Sequence, residues 1–180
     1  MIKDLMIYMF SLLLFVIVIL LPIFLYIKKK KSKDAFQYLK LRGNWQRGIL
    51  VGSIISIFYI ALLILKGRVN NTLNVNFNIG IRWLYGLSVG FLEEIPIRGF
   101  LLRRFQERFS FIFSNIFSTL IFVSFHFPTW IIGGANIIQS VVSISVVSLV
   151  FGYLVKEYDS LWVTIICHSV FNICIWIGLA

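Results

Sequence analysis

The chain has 180 residues, of which 59% are hydrophobic and 13% are charged. A soluble domain needs far more polar surface than this, so the composition excludes a soluble globular protein and indicates an integral membrane protein. The formal net charge of +10 raises the question of nucleic-acid binding. The basic residues lie in the gaps between apolar runs, as topology-setting charges do. We therefore expect a lipid bilayer around the chain and no nucleic-acid partner.

The apolar runs predict six transmembrane helices, because most of them are near the ~20 residues that cross a bilayer. They cover residues 5–27, 49–65, 80–102, 109–128, 131–154 and 160–179. The runs are continuous in hydrophobicity rather than alternating, which favours an all-α, polytopic membrane helical bundle over a β-barrel. Residues 32–48 are too polar to span, and predict either a short interfacial helix or a solvated loop.

The topology follows from the distribution of positive charge. Most of the 17 Lys and Arg residues fall at one side of the six-span arrangement, in segments 28–47 and 98–108 and at Lys156. The positive-inside rule makes this the inner side, so both termini of this multi-pass protein are expected outside the cell membrane. We expect a single domain in two parts, with an N-terminal transmembrane helix and basic interfacial segment at 1–48 and a transmembrane catalytic core at 49–180.

The third span contains two adjacent glutamates, Glu93 and Glu94, at a depth where lipid should exclude charge. A charge near the bilayer centre costs about 2.5–3.5 kcal/mol on insertion scales, so such residues are usually functional. Adjacent helix residues point about 100° apart, so the two carboxylates have different neighbours. Glu94 and Arg98 are four residues apart, in the favourable order for a helical ion pair. Glu93 has no such partner on its own helix, and is the better candidate for a general base.

Pro96 lies in the same span and cannot donate a backbone hydrogen bond, so it should kink the helix beside the glutamates. Irregular backbone at this depth is tolerated only where protein or a water-filled cavity covers it. The sequence therefore predicts a buried polar site next to Pro96.

Both histidines of the chain also lie in apolar spans. Phe122 and His126 share a face of the fourth span, because residues four apart are neighbours on a helix. His168 and Asn172 share a face of the sixth span for the same reason. Each pattern alone is open to two interpretations. It could be a polar contact joining two helices, or, for His168 and Asn172, a pair of donors for a developing oxyanion.

Together the three patterns resemble the CPBP (CAAX protease and bacteriocin-processing, or Abi) family of intramembrane endopeptidases. Its signature is Glu-Glu-x-x-x-Arg, then Phe-x-x-x-His, then His-x-x-x-Asn or Asp, in separate helices. Here the three motifs read Glu93-Glu94-Ile-Pro-Ile-Arg98, Phe122-Val-Ser-Phe-His126 and His168-Ser-Val-Phe-Asn172. The resemblance covers residues 80–176. An aromatic residue more often precedes the arginine, where this chain has Ile97.

The resemblance implies hydrolysis of a peptide bond in a membrane-associated peptide or protein substrate by an activated water. By motif, Glu93 is the general base, His126 positions or polarises the water, and His168 with Asn172 stabilises the oxyanion. The residues that support the site by motif are Glu94, Arg98 and Phe122. Bacteriocin processing and self-immunity against a peptide toxin are both roles that the resemblance allows.

The sequence leaves the metal and two other functions open. Glu93, His126 and His168 could bind Zn²⁺, as in His₂Glu hydrolases. They come from three helices without His-Glu-x-x-His spacing, which favours a glutamate-type over a metalloprotease-like site. The alternatives to a protease are a non-catalytic membrane immunity protein and a proton- or ion-coupled carrier that uses the same three side chains as a relay.

Overall fold

A computed structural model describes residues 2–31 and 34–180, and all regular secondary structure in these ranges is helical. The N-terminal stretch consists of α1 (Ile2–Phe15), a π-helical turn (Val16–Leu20) and α2 (Leu21–Lys31). A single turn, α3 (Ala35–Tyr38), precedes the long helix α4 (Trp45–Val69). The third span consists of α5 (Arg82–Glu94), a π-helical stretch (Ile95–Leu102) and α6 (Arg103–Gln106). The last three helices are α7 (Phe111–Gly133), α8 (Ile137–Tyr158) and α9 (Trp162–Trp176).

Each of the six predicted spans overlaps one of these helical stretches, which confirms an all-α membrane helical bundle. Within the described ranges, four helices are long and apolar enough to cross a membrane: Lys3–Lys30, Trp45–Val69, Phe111–Gly133 and Ile137–Tyr158. The third and sixth predicted spans do not meet this length and hydrophobicity criterion, for different reasons. The third span carries Glu93, Glu94 and Arg98, and α9 has only 15 residues.

Several helix boundaries differ from the sequence-based expectation, and the ends of α4 and α7 have an identifiable physical reason. The helix α4 continues beyond the predicted 49–65 to Val69, because Lys66 and Arg68 in its last turn are favourable at the negative end of the helix dipole. The helix α7 runs through Pro128 and ends at Gly133, where the predicted span ended at 128. Gly134 adopts φ +66°, a left-handed conformation that terminates helices and that glycine accepts without strain.

The segment after the N-terminal stretch packs against the bundle instead of extending into solvent. Its described part contains only one helical turn, which Asp34 caps by accepting a hydrogen bond from the Phe36 amide at 2.9 Å. Tyr38 and Leu39 are buried in the same apolar cluster as Ile27. Burial and the neighbouring Glu107 carboxylate raise the pKa of Tyr38 to about 12. Ser32 and Lys33, the first residues of the predicted interfacial segment, lie outside the described residues.

The helix α9 packs between α5 and α4, and glycines allow the close approach. A Cβ added to Gly90 of α5 would overlap the Ile165 carbonyl oxygen and lie 2.5 Å from Ser169 Oγ. A Cβ added to Gly52 of α4 would lie 2.9 Å from the Val163 carbonyl oxygen. Small residues at such contacts let helix backbones pack closely in a membrane. This packing places the middle of α9 directly beside the glutamates of the third span.

Pro96 coincides with an irregularity in the third span, as the sequence predicts. The residues Ile95–Leu102 form a π-helical stretch. Pro96 has no N–H to donate, and its ring excludes an ordinary α-helical turn against the Leu92 carbonyl. π-helical insertions frequently occur at functional sites.

Candidate functional site

The ion pair predicted within the third span is present and fully enclosed. Arg98 Nη1 lies 2.8 Å from Glu94 Oε1, and the two side chains are 1% and 0% exposed. Burying two charges is favourable only when their remaining hydrogen-bonding groups are also satisfied. The surroundings of Arg98 and Glu94 therefore decide whether this pair is stable.

Two further helices hold the Arg98 guanidinium. Its Nη2 atom donates to Ser148 Oγ at 2.8 Å, and that hydroxyl is also hydrogen-bonded to Thr119 Oγ1 at 2.7 Å. The guanidinium carbon lies 4.5 Å from the centre of the Phe122 ring and 5.7 Å from that of Phe151. Arg98 thus donates hydrogen bonds and makes cation–π contacts that replace its lost hydration.

His168 of α9 binds the same carboxylate oxygen of Glu94 as Arg98 does. Its Nδ1 atom lies 2.7 Å from Glu94 Oε1. A carboxylate that is already paired with Arg98 accepts hydrogen bonds, so the network assigns the proton to Nδ1. The opposite ring nitrogen, Nε2, faces Glu93 Oε2 at 3.6 Å. Glu94 therefore fixes both the tautomer and the direction of the His168 ring.

His126 of α7 is oriented in a similar way by its own helix. Its Nδ1 atom lies 2.9 Å from the Phe122 carbonyl oxygen, which can only accept a hydrogen bond. Its Nε2 atom lies 3.9 Å from Glu93 Oε2. The rings of Phe122 and Trp130 flank the imidazole, with centroids 4.6 and 5.6 Å away. The two Nε2 atoms, one from each histidine, thus face the same carboxylate oxygen.

Glu93 Oε2 is buried and has no hydrogen-bond partner among the described residues. Buried polar atoms almost always have a partner, either protein or ordered water. Distances of 3.6 and 3.9 Å to the two Nε2 atoms are too long for direct hydrogen bonds. At these separations one water can lie within hydrogen-bonding distance of all three atoms. The Glu93 side chain is 31% exposed and lines a cavity of about 640 Å³.

Asn172 is the one predicted catalytic residue that the structure does not bring into this cluster. Its side-chain amide donates to the His168 carbonyl oxygen at 3.2 Å, one helical turn back along α9. Within the described residues it makes no hydrogen bond to Glu93 or to either imidazole ring. The side chain is half-buried, next to the cluster but engaged with backbone.

The family model for type II CAAX prenyl endopeptidases, Rce1-like, matches residues 74–174. The match covers more than half of the chain and includes all three motifs. The chain belongs to this Rce1-like family. No curated protein and no solved structure matches it. Membership confirms the family resemblance of the motifs, and it implies a peptidase. With several apolar helices, the chain is a multi-pass membrane protein.

A zinc ion at this Rce1-like site would need donor atoms at defined separations. With Zn–N bonds of about 2.0–2.1 Å and Zn–O bonds of about 2.0–2.2 Å, neighbouring ligand atoms of a tetrahedral site lie about 3.3–3.5 Å apart. Glu93 Oε2 lies 3.6 and 3.9 Å from the two Nε2 atoms, which is wider. Within the part of the chain that the structure describes, no group of three His, Cys, Asp or Glu side chains has the arrangement of a metal site. As placed, Glu93, His126 and His168 do not form a zinc site.

Sequence reasoning missed the two hydroxyl residues that hold Arg98 in this Rce1-like chain. Ser148 and Thr119 are buried, 1% and 5% exposed, and connect α8 and α7 to the third span. The available signal was the polarity of a few residues in otherwise apolar spans. Serine and threonine are ordinary residues of transmembrane helices, so this signal does not separate a supporting hydroxyl from any other.

Proposed function

We propose that the protein is an intramembrane endopeptidase that hydrolyses a peptide bond of a membrane-associated substrate with a water activated by Glu93. The position of Glu93 Oε2 carries the proposal. This oxygen is buried, lacks a hydrogen-bond partner among the described residues, and faces the Nε2 atoms of His168 and His126. A water in this space would have three polar neighbours, as buried waters usually do.

The first chemical step follows from which groups can accept a proton. Because Nδ1 of each imidazole donates elsewhere, each neutral ring presents a lone pair at Nε2. A water between them can donate one hydrogen to Glu93 and the other to an Nε2 atom. Glu93 then takes the first proton as the water oxygen attacks the scissile carbonyl carbon, which is general base catalysis. His126 and His168 orient the water.

The second step needs a donor for the oxyanion and a proton for the leaving amine. His168 keeps its proton at Nδ1 for Glu94, so its neutral ring has none to donate from Nε2. The Asn172 amide becomes the oxyanion donor when it turns away from the His168 carbonyl. Glu93 passes the proton that it took from the water to the amine as the C–N bond breaks, which leaves a carboxylic acid and a free amine.

The family supplies the substrate class of the proposal. A prenylated peptide that ends in a CAAX sequence is the substrate class that the family description names. The motif resemblance adds a bacteriocin leader peptide, or a peptide toxin in self-immunity, as related membrane-associated substrates.

The deciding experiment compares Glu93→Gln with a matched control, Glu157→Gln, at an exposed position near the end of α8. The purified proteins are placed in lipid nanodiscs with a farnesylated fluorogenic peptide and its unmodified form. We expect Glu93→Gln to lower kcat/KM about 10³-fold, as for loss of a general base, and Glu157→Gln to leave it unchanged. Undiminished cleavage by Glu93→Gln would show the proposal to be wrong. A wild-type protein that cleaves neither peptide but protects cells from a toxin would favour the non-catalytic immunity function.

A further inference from the structure

The N-terminal helical stretch contacts the bundle firmly at two levels. Towards its start, Tyr8 is 7% exposed, its hydroxyl donates to the Leu84 carbonyl at 3.4 Å, and its ring lies 4.5 Å from that of Tyr85. Towards its end, Ile23 and Ile27 are 8% and 0% exposed. The stretch is therefore held against the third span near its start and against the apolar core near its end.

Between these two levels the same stretch does not pack closely. The π-helical turn Val16–Leu20 contains no buried residue. Val18 is 56% exposed and Ile19 is 37% exposed. This turn and the π-helical stretch Ile95–Leu102 contact each other, so two irregular segments meet at one depth of the bundle.

The gap beside this turn is the cavity that contains the candidate site. It has a volume of about 640 Å³. Residues on its two sides include Phe15, Val18 and Ile19 from the N-terminal stretch and Glu93, Phe125 and His126 from the core. Apart from Glu93, His126 and Thr129, the side chains that line it are apolar or proline. Whatever fills the cavity lies directly beside the proposed base.

We infer that the N-terminal helix forms one wall of the substrate site, and that apolar peptide residues next to the scissile bond occupy this cavity. The inference rests on the proposed function. The carbonyl of the scissile bond is the polar part of such a segment and meets Glu93 and His126. Its side chains then face Val18 and Ile19 across the cavity.

The physical role of this wall is to select by size. Lipid tails are as apolar as the cavity, so hydrophobicity alone gives a membrane-resident peptide little reason to leave the bilayer for it. Preference must come from van der Waals contact, which depends on how closely a side chain fills the space. Val18 and Ile19 set the width of that space. Val18 and Phe125, which line the cavity, are 56% and 70% exposed.

Family membership does not predict this wall. The matched residues are 74–174, and the N-terminal stretch lies before them. The three motifs therefore account for the reacting groups, whereas the size preference depends on side chains outside the motifs.

The test uses a matched pair of substitutions in one turn of helix. Val18→Trp fills the cavity, whereas Ile17→Trp places the same ring at an adjacent residue that is 51% exposed and does not line it. Each protein is assayed in nanodiscs with farnesylated peptides that carry Ala or Phe beside the scissile bond. We expect Val18→Trp to raise KM for the Phe peptide at least about tenfold, a usual effect of misfit in an apolar pocket. The Ala peptide should change much less, and Ile17→Trp should match the wild type.

The reverse substitution guards against a simple folding defect. Val18→Ala widens the cavity, and we expect it to improve kcat/KM for a peptide with Trp beside the scissile bond relative to the Ala peptide. Equal effects of Val18→Trp and Ile17→Trp, or the same effect on every peptide, would overturn the inference. Cleavage that persists in Glu93→Gln would instead overturn the proposed function, so the two failures are distinguishable.

A binding measurement tests the wall without catalysis. The probe is an apolar transmembrane peptide of about 20 residues, with photo-leucine at its centre, reconstituted with the full-length Glu93→Gln protein. We expect cross-links to residues 15–19 and 125–126, which Val18→Trp removes and Ile17→Trp preserves. Cross-links that are absent from these positions, or unaffected by Val18→Trp, would contradict the inference even if the protein cleaves none of the peptides.

Discussion

Nδ1 of His168 lies 2.7 Å from Oε1 of Glu94, so the sixth span is joined to the third by a charge-assisted hydrogen bond inside the bundle. The contact gives the two adjacent glutamates separate surroundings. Glu94 is enclosed by Arg98 and His168, whereas Glu93 faces the cavity. One carboxylate is therefore structural, and the other is free to exchange protons with a bound water.

Replacement of Glu94 should reduce stability far more than replacement of Glu93. Glu94→Gln removes the charge that balances the buried Arg98, and breaking a buried pair in this way costs about 3–5 kcal/mol. Glu93→Gln alters an oxygen that has no hydrogen-bond partner among the described residues. We expect a clear fall in the thermal unfolding midpoint of Glu94→Gln in detergent and almost none for Glu93→Gln. Equal midpoints would contradict the assignment of separate roles.

Loss of the Ser148 hydroxyl should lower the stability of the protein and its kcat/KM, although Ser148 does not contact the proposed water. Ser148→Ala removes the shorter hydrogen bond of Arg98 Nη2, which keeps only the 3.4 Å contact with the Ser148 carbonyl. It also removes the partner of Thr119 Oγ1, and a buried unsatisfied group costs about 1–3 kcal/mol. Ser143→Ala, at an exposed position of the same helix, is the control and should be neutral. The measurement is the unfolding midpoint together with kcat/KM. A Ser148→Ala protein as stable as the Ser143→Ala protein would refute this support.

A methyl group at Gly90 should separate the third and sixth spans. Its carbon would overlap the Ile165 carbonyl oxygen, which is backbone and cannot turn aside. Overpacking of this kind usually costs about 1–3 kcal/mol, and it would also move Glu94 away from His168. Gly133→Ala is the matched control, because a Cβ there meets nothing within 4 Å. We expect lower stability and lower cleavage for Gly90→Ala only, measured on the two proteins side by side.

Removal of divalent metal should leave cleavage unchanged. The proposed mechanism uses Glu93 and the two imidazoles, and their spacing is wider than that of zinc ligands. The experiment compares kcat/KM before and after dialysis against EDTA and 1,10-phenanthroline. A loss of activity that added Zn²⁺ restores would show that the side chains close around a metal and that the water is activated by it.

The sequence determined the features that depend on one helix at a time. Continuous apolar runs predicted the six spans, since about 20 apolar residues are what a bilayer requires. The four-residue spacing of Glu94 and Arg98 predicted their ion pair, because helix geometry fixes which residues share a face. Pro96 predicted an irregular helix beside the glutamates, for lack of a backbone donor. The three motifs together led to the family that the comparison confirms.

Only the tertiary structure decided which helices meet. The contacts of His168 with Glu94 and of Ser148 with Arg98 join residues 74 and 50 positions apart. The engagement of Asn172 with backbone and the position of Val18 beside the cavity were equally absent from the sequence pattern. In a membrane, helix pairing is set by the fit of small and large side chains, because lipid tails solvate all apolar helix surfaces about equally well. That fit depends on every helix at once, so it cannot be read from spacing along one of them.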